Sequence, residues 1–324
     1  METNTNNAAI SIIIPHWENI DGLEILLESI HQEASKYPNL SETIVVDDYS
    51  CPETQQKLRD LRNKFDFRLY FNNSIKSAGT CRNIGIEKSI GQWLLFADSD
   101  DYFLPNFLDA TQKYQNSDYD IVFFPPTSVE YNNHNIISNR HINHVRLLKN
   151  FKPNQQSELD IRYRWPEAWS RLIRKSVVIN NSIKFESVIA SNDAFFTTLL
   201  GFWASKITID ESKIYVATSR QDSLTQDPTL NNLLSRIEVH IRINRFLSKH
   251  KLDKYKKSYW EWLLPILVYF GVYELFKAMF FIVKNHDNPI WGFNDRMSRL
   301  FLIIKKKKFK EIAIRILQKR HYIQ

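Results

Sequence analysis

A short apolar run that ends in three carboxylates constrains the fold of this chain more than any other stretch. Residues 93–101 read Trp-Leu-Leu-Phe-Ala-Asp-Ser-Asp-Asp. Successive apolar residues are typical of a strand covered on both faces in a mostly parallel sheet, and such sheets bind ligands at the carboxyl ends of their strands. Because crowded carboxylates repel one another, Asp98, Asp100 and Asp101 favour a divalent cation with a diphosphate. A solvated acidic turn before a helix at Pro105 is the alternative.

The first hundred residues alternate between predicted strands, at 10–15, 43–46, 67–71 and 93–97, and helices that connect them. This order predicts βαβ units and a parallel sheet, whose strand ends would bring Pro15, the Asp47-Asp48 pair and the acidic run to one edge. The Gly-x-Gly-x-x-Gly fingerprint and the Gly-Lys-Ser/Thr loop are both absent from the sequence. The cleft is therefore not predicted to hold NAD or ATP in those ways.

Four motifs in this half resemble those of bacterial family 2 glycosyltransferases of the GT-A fold. They are Ser-Ile-Ile-Ile-Pro at 11–15, Ile-Val-Val-Asp-Asp-Tyr-Ser at 44–50, Gly-Thr-Cys-Arg-Asn-Ile-Gly at 79–85 and the stretch 91–101. The chain departs from the family at Tyr49 and Cys81, where Gly and Ala are usual. The resemblance implies an α/β fold with a mostly parallel nucleotide-sugar-binding sheet flanked by helices, to which a C-terminal helical region is added here.

The same resemblance implies a nucleotide-sugar donor, commonly a UDP-sugar, and Mn²⁺ or Mg²⁺ as cofactor. Pro15 and Asp48 would border the base, Asp98 the ribose, and Arg82 the diphosphate, and Asp100 would bind the metal. For Arg82 the alternative is a surface salt bridge.

Residues 118–125 and 183–185 are predicted strands and 129–137 an irregular hairpin, whereas 140–164 are not assigned. Ser-Asn-Asp at 191–193 stands where the family usually has Glu-Asp before an apolar helix, with Asn192 in place of Glu. The resemblance points to Asp193 as the base that deprotonates the acceptor hydroxyl in an inverting transfer; helix capping is its other role. Arg220, in a stretch like the family's closing loop, would stabilise the leaving group, or be an exposed arginine.

The tail differs from the body in charge. The net charge is +7, yet residues 245–324 hold 18 Lys and Arg against 6 Asp and Glu. We predict a catalytic domain at 1–225 and a basic, aromatic-rich helical tail at 226–324. Because the apolar stretch 263–273 is shorter than the roughly 20 residues that span a bilayer, we predict interfacial helices on an anionic membrane surface. A packed helical bundle is the alternative, and alternation of basic and apolar blocks argues against nucleic acid.

The two cysteines predict no disulfide framework, and the polar first residues do not resemble a signal peptide. We therefore predict a cytoplasmic protein that is peripherally bound to the inner face of the cell membrane. We predict an inverting, metal-dependent hexosyl- or N-acetylhexosaminyltransferase that acts on a glycan or lipid-linked acceptor in surface polysaccharide synthesis. One alternative is a non-catalytic nucleotide-sugar-binding subunit, against which the intact Asp100 and Asp193 argue. Another is a nucleotidyltransferase, which needs a Gly-rich basic loop where this chain has His-Trp-Glu-Asn at 16–19.

Overall fold

The computed structural model describes residues 8–152, 155–219 and 229–294, and it divides the chain into two units, Met1–Asp227 and Pro228–Gln324. The predicted boundary after residue 225 and Arg220 lie outside the described residues. The strands are β1 Ile10–His16, β2 Ser41–Asp47, β3 Arg68–Phe71, β4 Trp93–Phe96, β5 Tyr102–Phe103, β6 Ile121–Phe123, β7 Thr127–Glu130, β8 Asn133–Ile137, β9 Arg171–Arg174, β10 Ile207–Ile209 and β11 Tyr215–Ser219. The helices are α1 Ile20–Ala34, α2 Pro52–Leu61, α3 Ala78–Lys88, α4 Phe107–Gln112, α5 Ile142–Lys149, α6 Gln155–Arg164, α7 Lys175–Asn180, α8 Ala194–Trp203, α9 Leu230–Lys249 and α10 Trp260–Lys284.

The first unit contains a seven-stranded sheet in the order β10-β6-β9-β4-β1-β2-β3. Its strands are parallel except β9, which runs antiparallel to β4 and β6. Every residue of β1 and β4 is buried, as expected for central strands covered on both faces. The prediction of an α/β fold with a mostly parallel sheet flanked by helices is confirmed.

A second sheet, in the order β5-β11-β7-β8, adjoins the acidic run. Strand β5 begins at Tyr102, directly after Asp101, and pairs antiparallel with β11. The acidic run is therefore the connection between a central strand of the large sheet and an edge strand of the small one. Because both ends of this connection are fixed, its carboxylates are held in place more firmly than in an ordinary surface turn.

Two parts of the first unit differ from the sequence prediction. Within residues 140–164, which were not assigned, the described residues include α5 and α6. The described residues 183–185 form no strand, so that prediction is wrong, although Ile183 and Phe185 are both buried in the core. The alternation of apolar residues at 183–185 correctly predicts which side chains are buried, but it does not predict pairing with another strand.

In the second unit α9 and α10 share a small core of Leu233, Ile237 and Ile241 against Trp262, Leu263 and Ile266, among others. Helix α10 is longer than the apolar stretch 263–273 on which the prediction of interfacial helices was based. By length and composition alone, the segment Asp253–Lys284 is long enough to cross a membrane, and an 18-residue window within it has a mean hydropathy of 1.9. The interfacial placement stays a prediction. Gly271 interrupts α10 with φ 86° and ψ 178°, a conformation open essentially to glycine alone.

Candidate active site

The carboxyl ends of β1 and β2 carry the residues predicted to border the base. Pro15 is buried within β1 opposite Val46 of β2, so the strand continues one residue beyond the predicted end. Asp48 directly follows β2, and its backbone N–H donates to the carbonyl of His16 at 2.8 Å. Its Oδ1 accepts from Asn72 Nδ2 at 2.8 Å and from the backbone N–H of Ser77, the N-cap of α3, at 3.1 Å. Asp48 therefore holds the loop after β3 against the sheet edge.

The three carboxylates after β4 form a cluster that fits a hard cation. One oxygen each of Asp98, Asp100 and Asp101 lies within 4.8 Å of the others. Asp101 is buried and accepts the hydroxyl of Tyr215 at 2.7 Å and the backbone N–H of Thr218 at 2.7 Å. Asp98 and Asp100 are only partly buried. Because Asp101 is fully buried among protein donors, Asp98 and Asp100 are the more accessible carboxylates of the three. Oxygen donors of this kind suit Mg²⁺ or Mn²⁺.

Burial, together with the adjacent Asp100 carboxylate, raises the pKa of Asp101 well above its usual range. Arg140 opposes that rise: its Nη1 lies 3.8 Å from Asp101 Oδ1 and also donates to the carbonyl of Thr218 at 2.6 Å. Repulsion between the Asp100 and Asp101 carboxylates is therefore, after burial, a cause of the raised pKa of Asp101. A divalent cation would relieve that repulsion directly.

Tyr215 joins the two sheets at the cluster, and sequence reasoning missed it. Its hydroxyl accepts the backbone N–H of Asp98 at 3.0 Å and donates to Asp101, while its ring stacks on Trp169 with centroids 5.4 Å apart. A tyrosine in a buried strand gives no sign in the sequence of a partner more than a hundred residues away.

Arg82 is a bridge between the acidic cluster and the segment that carries Asp193. It is buried, its Nη2 contacts Asp98 Oδ1 at 2.6 Å, and its Nη1 donates to Asn192 Oδ1 at 2.7 Å. Although burial opposes it, the carboxylates of Asp98 and Asp193 raise the pKa of Arg82. This burial excludes the alternative of a surface salt bridge.

Asp193 directly precedes α8 and is partly buried. It occupies the N-cap position, but among the described residues its side chain accepts no capping hydrogen bond, so the capping role is not observed. Burial raises its pKa to about 6, against the lowering effect of Arg82. A carboxylate with this pKa is deprotonated at neutral pH and is still basic enough to accept a proton, as a general base requires.

The segment between Phe185 and Asn192 is fixed to α3, which presents Arg82. A Cβ on Gly79 would lie 2.1 Å from the carbonyl oxygen of Glu186, so only glycine permits this approach. The side-chain amide of Asn83 donates to the carbonyl of Phe185 and accepts its N–H, both at 2.9 Å. One helix therefore sets the positions of both Arg82 and the residue before Asp193.

The model of glycosyl transferase family 2 matches residues 11–179, more than half of the chain. An uncharacterized glycosyltransferase of Haemophilus influenzae is 30% identical over 118 residues, which cover 36% of this chain and 38% of that protein. The poly(ribitol-phosphate) beta-N-acetylglucosaminyltransferase TarS of Staphylococcus aureus is 24% identical over 216 residues, covering 65% of this chain and 36% of TarS. The matches thus span little more than a third of the length of these curated relatives.

Solved structures share the fold. The crystal structure of S. aureus TarS 1–349 in complex with UDP-GlcNAc superposes with a TM-score of 0.59 at 20% identity, covering 85% of this chain and 81% of that one. The mannosyltransferase PcManGT from Pyrobaculum calidifontis, in complex with GDP-Man and Mn²⁺, gives a TM-score of 0.53 at 14% identity, covering 92% and 81%.

Proposed function

Because the chain belongs to glycosyl transferase family 2, we propose that it transfers a hexosyl or N-acetylhexosaminyl group from a nucleotide-sugar, with a UDP-sugar as the favoured donor, to a glycan or lipid-linked acceptor with inversion of configuration. The observation that carries the proposal is the bridge made by Arg82. Its guanidinium contacts Asp98 of the acidic cluster on one side and Asn192, next to Asp193, on the other. One buried cation therefore connects the carboxylate that we assign to the donor with the segment that carries the carboxylate we assign as base.

At the donor end, Asp100 would hold Mn²⁺ or Mg²⁺, with Asp98 beside it near the ribose. When bound, such an ion supplies Lewis-acid stabilisation of the diphosphate as it leaves. Arg82 contributes a fixed positive charge near the diphosphate, and we assign the same task to Arg220. Pro15 and Asp48 would border the base at the ends of their strands.

At the acceptor end, Asp193 acts as the general base. The acceptor oxygen attacks the anomeric carbon, the bond from that carbon to the diphosphate oxygen breaks, and the hydroxyl proton passes to the Asp193 carboxylate. A single displacement of this kind inverts the anomeric carbon. The pKa of about 6 supports this role, because the base is then ready at neutral pH.

The test is hydrolysis and transfer with a panel of nucleotide-sugars, with and without Mn²⁺. UDP-GlcNAc is the first donor to try and GDP-mannose the second, since the fold neighbours carry these compounds. We expect Mn²⁺-dependent turnover of a UDP-sugar and inverted product by NMR. Turnover that persists in the presence of a chelator would contradict the proposed metal dependence. A product with retained anomeric configuration would contradict the proposed inverting mechanism.

We further propose that the second unit rests on an anionic membrane surface at the cytoplasmic face, where lipid-linked acceptors for surface polysaccharides would be at hand. The support is a set of apolar side chains of α10, on both sides of Gly271, that are each more than half exposed: Val268, Tyr269, Val272, Tyr273, Phe276, Phe280 and Val283. Other residues of α10, among them Leu275 and Ile282, are buried in the core shared with α9. Exposed aromatic residues next to many lysines are typical of helices that lie at a lipid interface.

A further inference from the structure

A tyrosine in a strained backbone conformation follows Asp48 at the carboxyl end of β2. Tyr49 has φ 62°, in the left-handed region that bulky side chains rarely adopt. Motifs like this one usually have glycine at the position, which takes that conformation freely. The Tyr49 side chain is nevertheless 45% exposed, so burial in the core does not compensate for the strain. Strain of this kind is concentrated at functional sites.

Neighbouring loops hold Tyr49 in place. Its hydroxyl donates to the carbonyl oxygen of Ser74 at 2.8 Å, in the loop that Asp48 also holds. Glu18, after β1, is left-handed as well with φ 53°. The N–H of Glu18 donates to Ser50 Oγ at 2.9 Å, so the two loops that contain left-handed residues are hydrogen-bonded to each other. The Tyr49 ring is thus fixed although it is exposed.

A second exposed aromatic residue lies in the adjoining loop. Trp17 is 56% exposed, and Lys76 Nζ lies 4.3 Å from the centroid of its ring. Exposed ring faces at the end of a parallel sheet are surfaces on which planar bases stack, whatever the base. Asp48, with its hydrogen-bonding carboxylate, adjoins Tyr49 in sequence and can supply the polar recognition that stacking lacks.

We infer that Tyr49 is a donor-contact residue that stacks on the base of the nucleotide, an inference that rests on the proposed nucleotide-sugar donor. The left-handed backbone of Tyr49 would then direct its ring toward the base, at a position where glycine would leave the base without a stacking partner. Tyr49 increases affinity for the nucleotide without choosing between bases, because stacking involves the ring face alone.

The test compares Tyr49→Gly, Tyr49→Asn and Tyr49→Phe for UDP affinity by calorimetry in Mn²⁺ and for the thermal unfolding midpoint. Loss of the ring that stacks on the base should weaken UDP binding about five- to hundredfold in the Gly and Asn variants. The UDP affinity of Tyr49→Phe should stay within about threefold of the wild-type value. The midpoint of Tyr49→Gly should stay level or rise, since glycine relieves the strain. Ser182→Gly is the matched control, because Ser182 is an exposed left-handed residue in the turn after α7; it should leave UDP affinity unchanged.

Unchanged UDP affinity in Tyr49→Gly would overturn the inference while leaving the proposed function intact. A fall in both the midpoint and the affinity would make Tyr49 structural, and an equal loss in Tyr49→Phe would assign the effect to the hydroxyl rather than to stacking. If the wild-type protein binds neither UDP nor GDP, the proposed donor fails and this inference fails with it.

Discussion

Replacing Asp193 by Asn tests the proposed base most directly, because the amide keeps the shape of the carboxyl and removes its charge. If Asp193 takes the acceptor proton, turnover should fall by about a hundredfold or more, the usual range for a general base. Donor affinity should stay within about twofold, because Arg82 keeps its 2.6 Å contact with Asp98. Wild-type turnover should fall below pH 6, where the carboxyl becomes protonated.

The same substitution should stabilise the fold. Burial raises the pKa of Asp193 from 3.8 to about 6, which corresponds to about 3 kcal/mol at 1.4 kcal/mol per pKa unit. Since the folded-state pKa lies above the unfolded value, the wild-type free energy of unfolding decreases as pH rises from 4 through 6. This net shift already includes the attraction to Arg82, so Asp193→Asn should be up to about 3 kcal/mol more stable at pH 8. The gain should vanish near pH 4.

Denaturant unfolding at pH 4, 6 and 8 measures this stability difference, and single-turnover assays with saturating donor measure the rate. A variant that is more stable at pH 8 and also slower shows that the charge is kept for function at the expense of stability. Two results would refute the reasoning: a variant that is less stable at pH 8, or donor affinity that collapses while bound donor still turns over. Either would make Asp193 a structural residue.

Three further experiments test the other parts of the molecule. Asp100→Asn should abolish nearly all transfer and weaken Mn²⁺-dependent UDP binding, so unchanged UDP affinity by calorimetry in Mn²⁺ contradicts the metal role. Tyr215→Phe removes the hydroxyl between Asp98 and Asp101. It should lower the free energy of unfolding by about 1–3 kcal/mol and raise the Mn²⁺ concentration needed for half-maximal turnover. If that Mn²⁺ concentration does not change, Tyr215 stabilises the fold and has no part in metal binding. The full-length protein should sediment with anionic liposomes and be partly released by high salt. The double variant Phe276→Ser/Phe280→Ser should sediment less while its turnover in solution is preserved. The control Trp203→Ser changes an exposed aromatic residue of the first unit and should sediment like the wild type. Equal sedimentation of the wild type, the double variant and the control would refute membrane binding through the exposed side chains of α10.

The central strands could be predicted because their signal is local. In β1 and β4 every residue is buried, so each appears in the sequence as a mostly apolar run, broken in β1 by Ser11, with polar residues at or just after its end. The edge at which those polar residues meet follows from parallel pairing alone. The fold class and the edge of the sheet at which the first motifs lie could therefore be predicted without knowledge of distant contacts.

The strand predicted at 183–185 was wrong for a specific reason. Ile183 and Phe185 are buried with Lys184 exposed between them, a pattern that normally indicates a strand. The backbone N–H and C=O of Phe185 are instead satisfied by the side chain of Asn83. A side-chain amide replaces the neighbouring strand, and no rule based on local periodicity detects such a replacement.

The second sheet shows why the acidic motif could be located from sequence but its environment could not. Strand β11 supplies Tyr215 and Thr218 to the carboxylate cluster, and Thr218 Oγ1 donates to the backbone carbonyl of Asp100 at 2.8 Å. Tyr215 and Thr218 are more than a hundred residues away from the acidic run in the sequence. A motif search therefore finds the three carboxylates but not the residues of β11 that hold them.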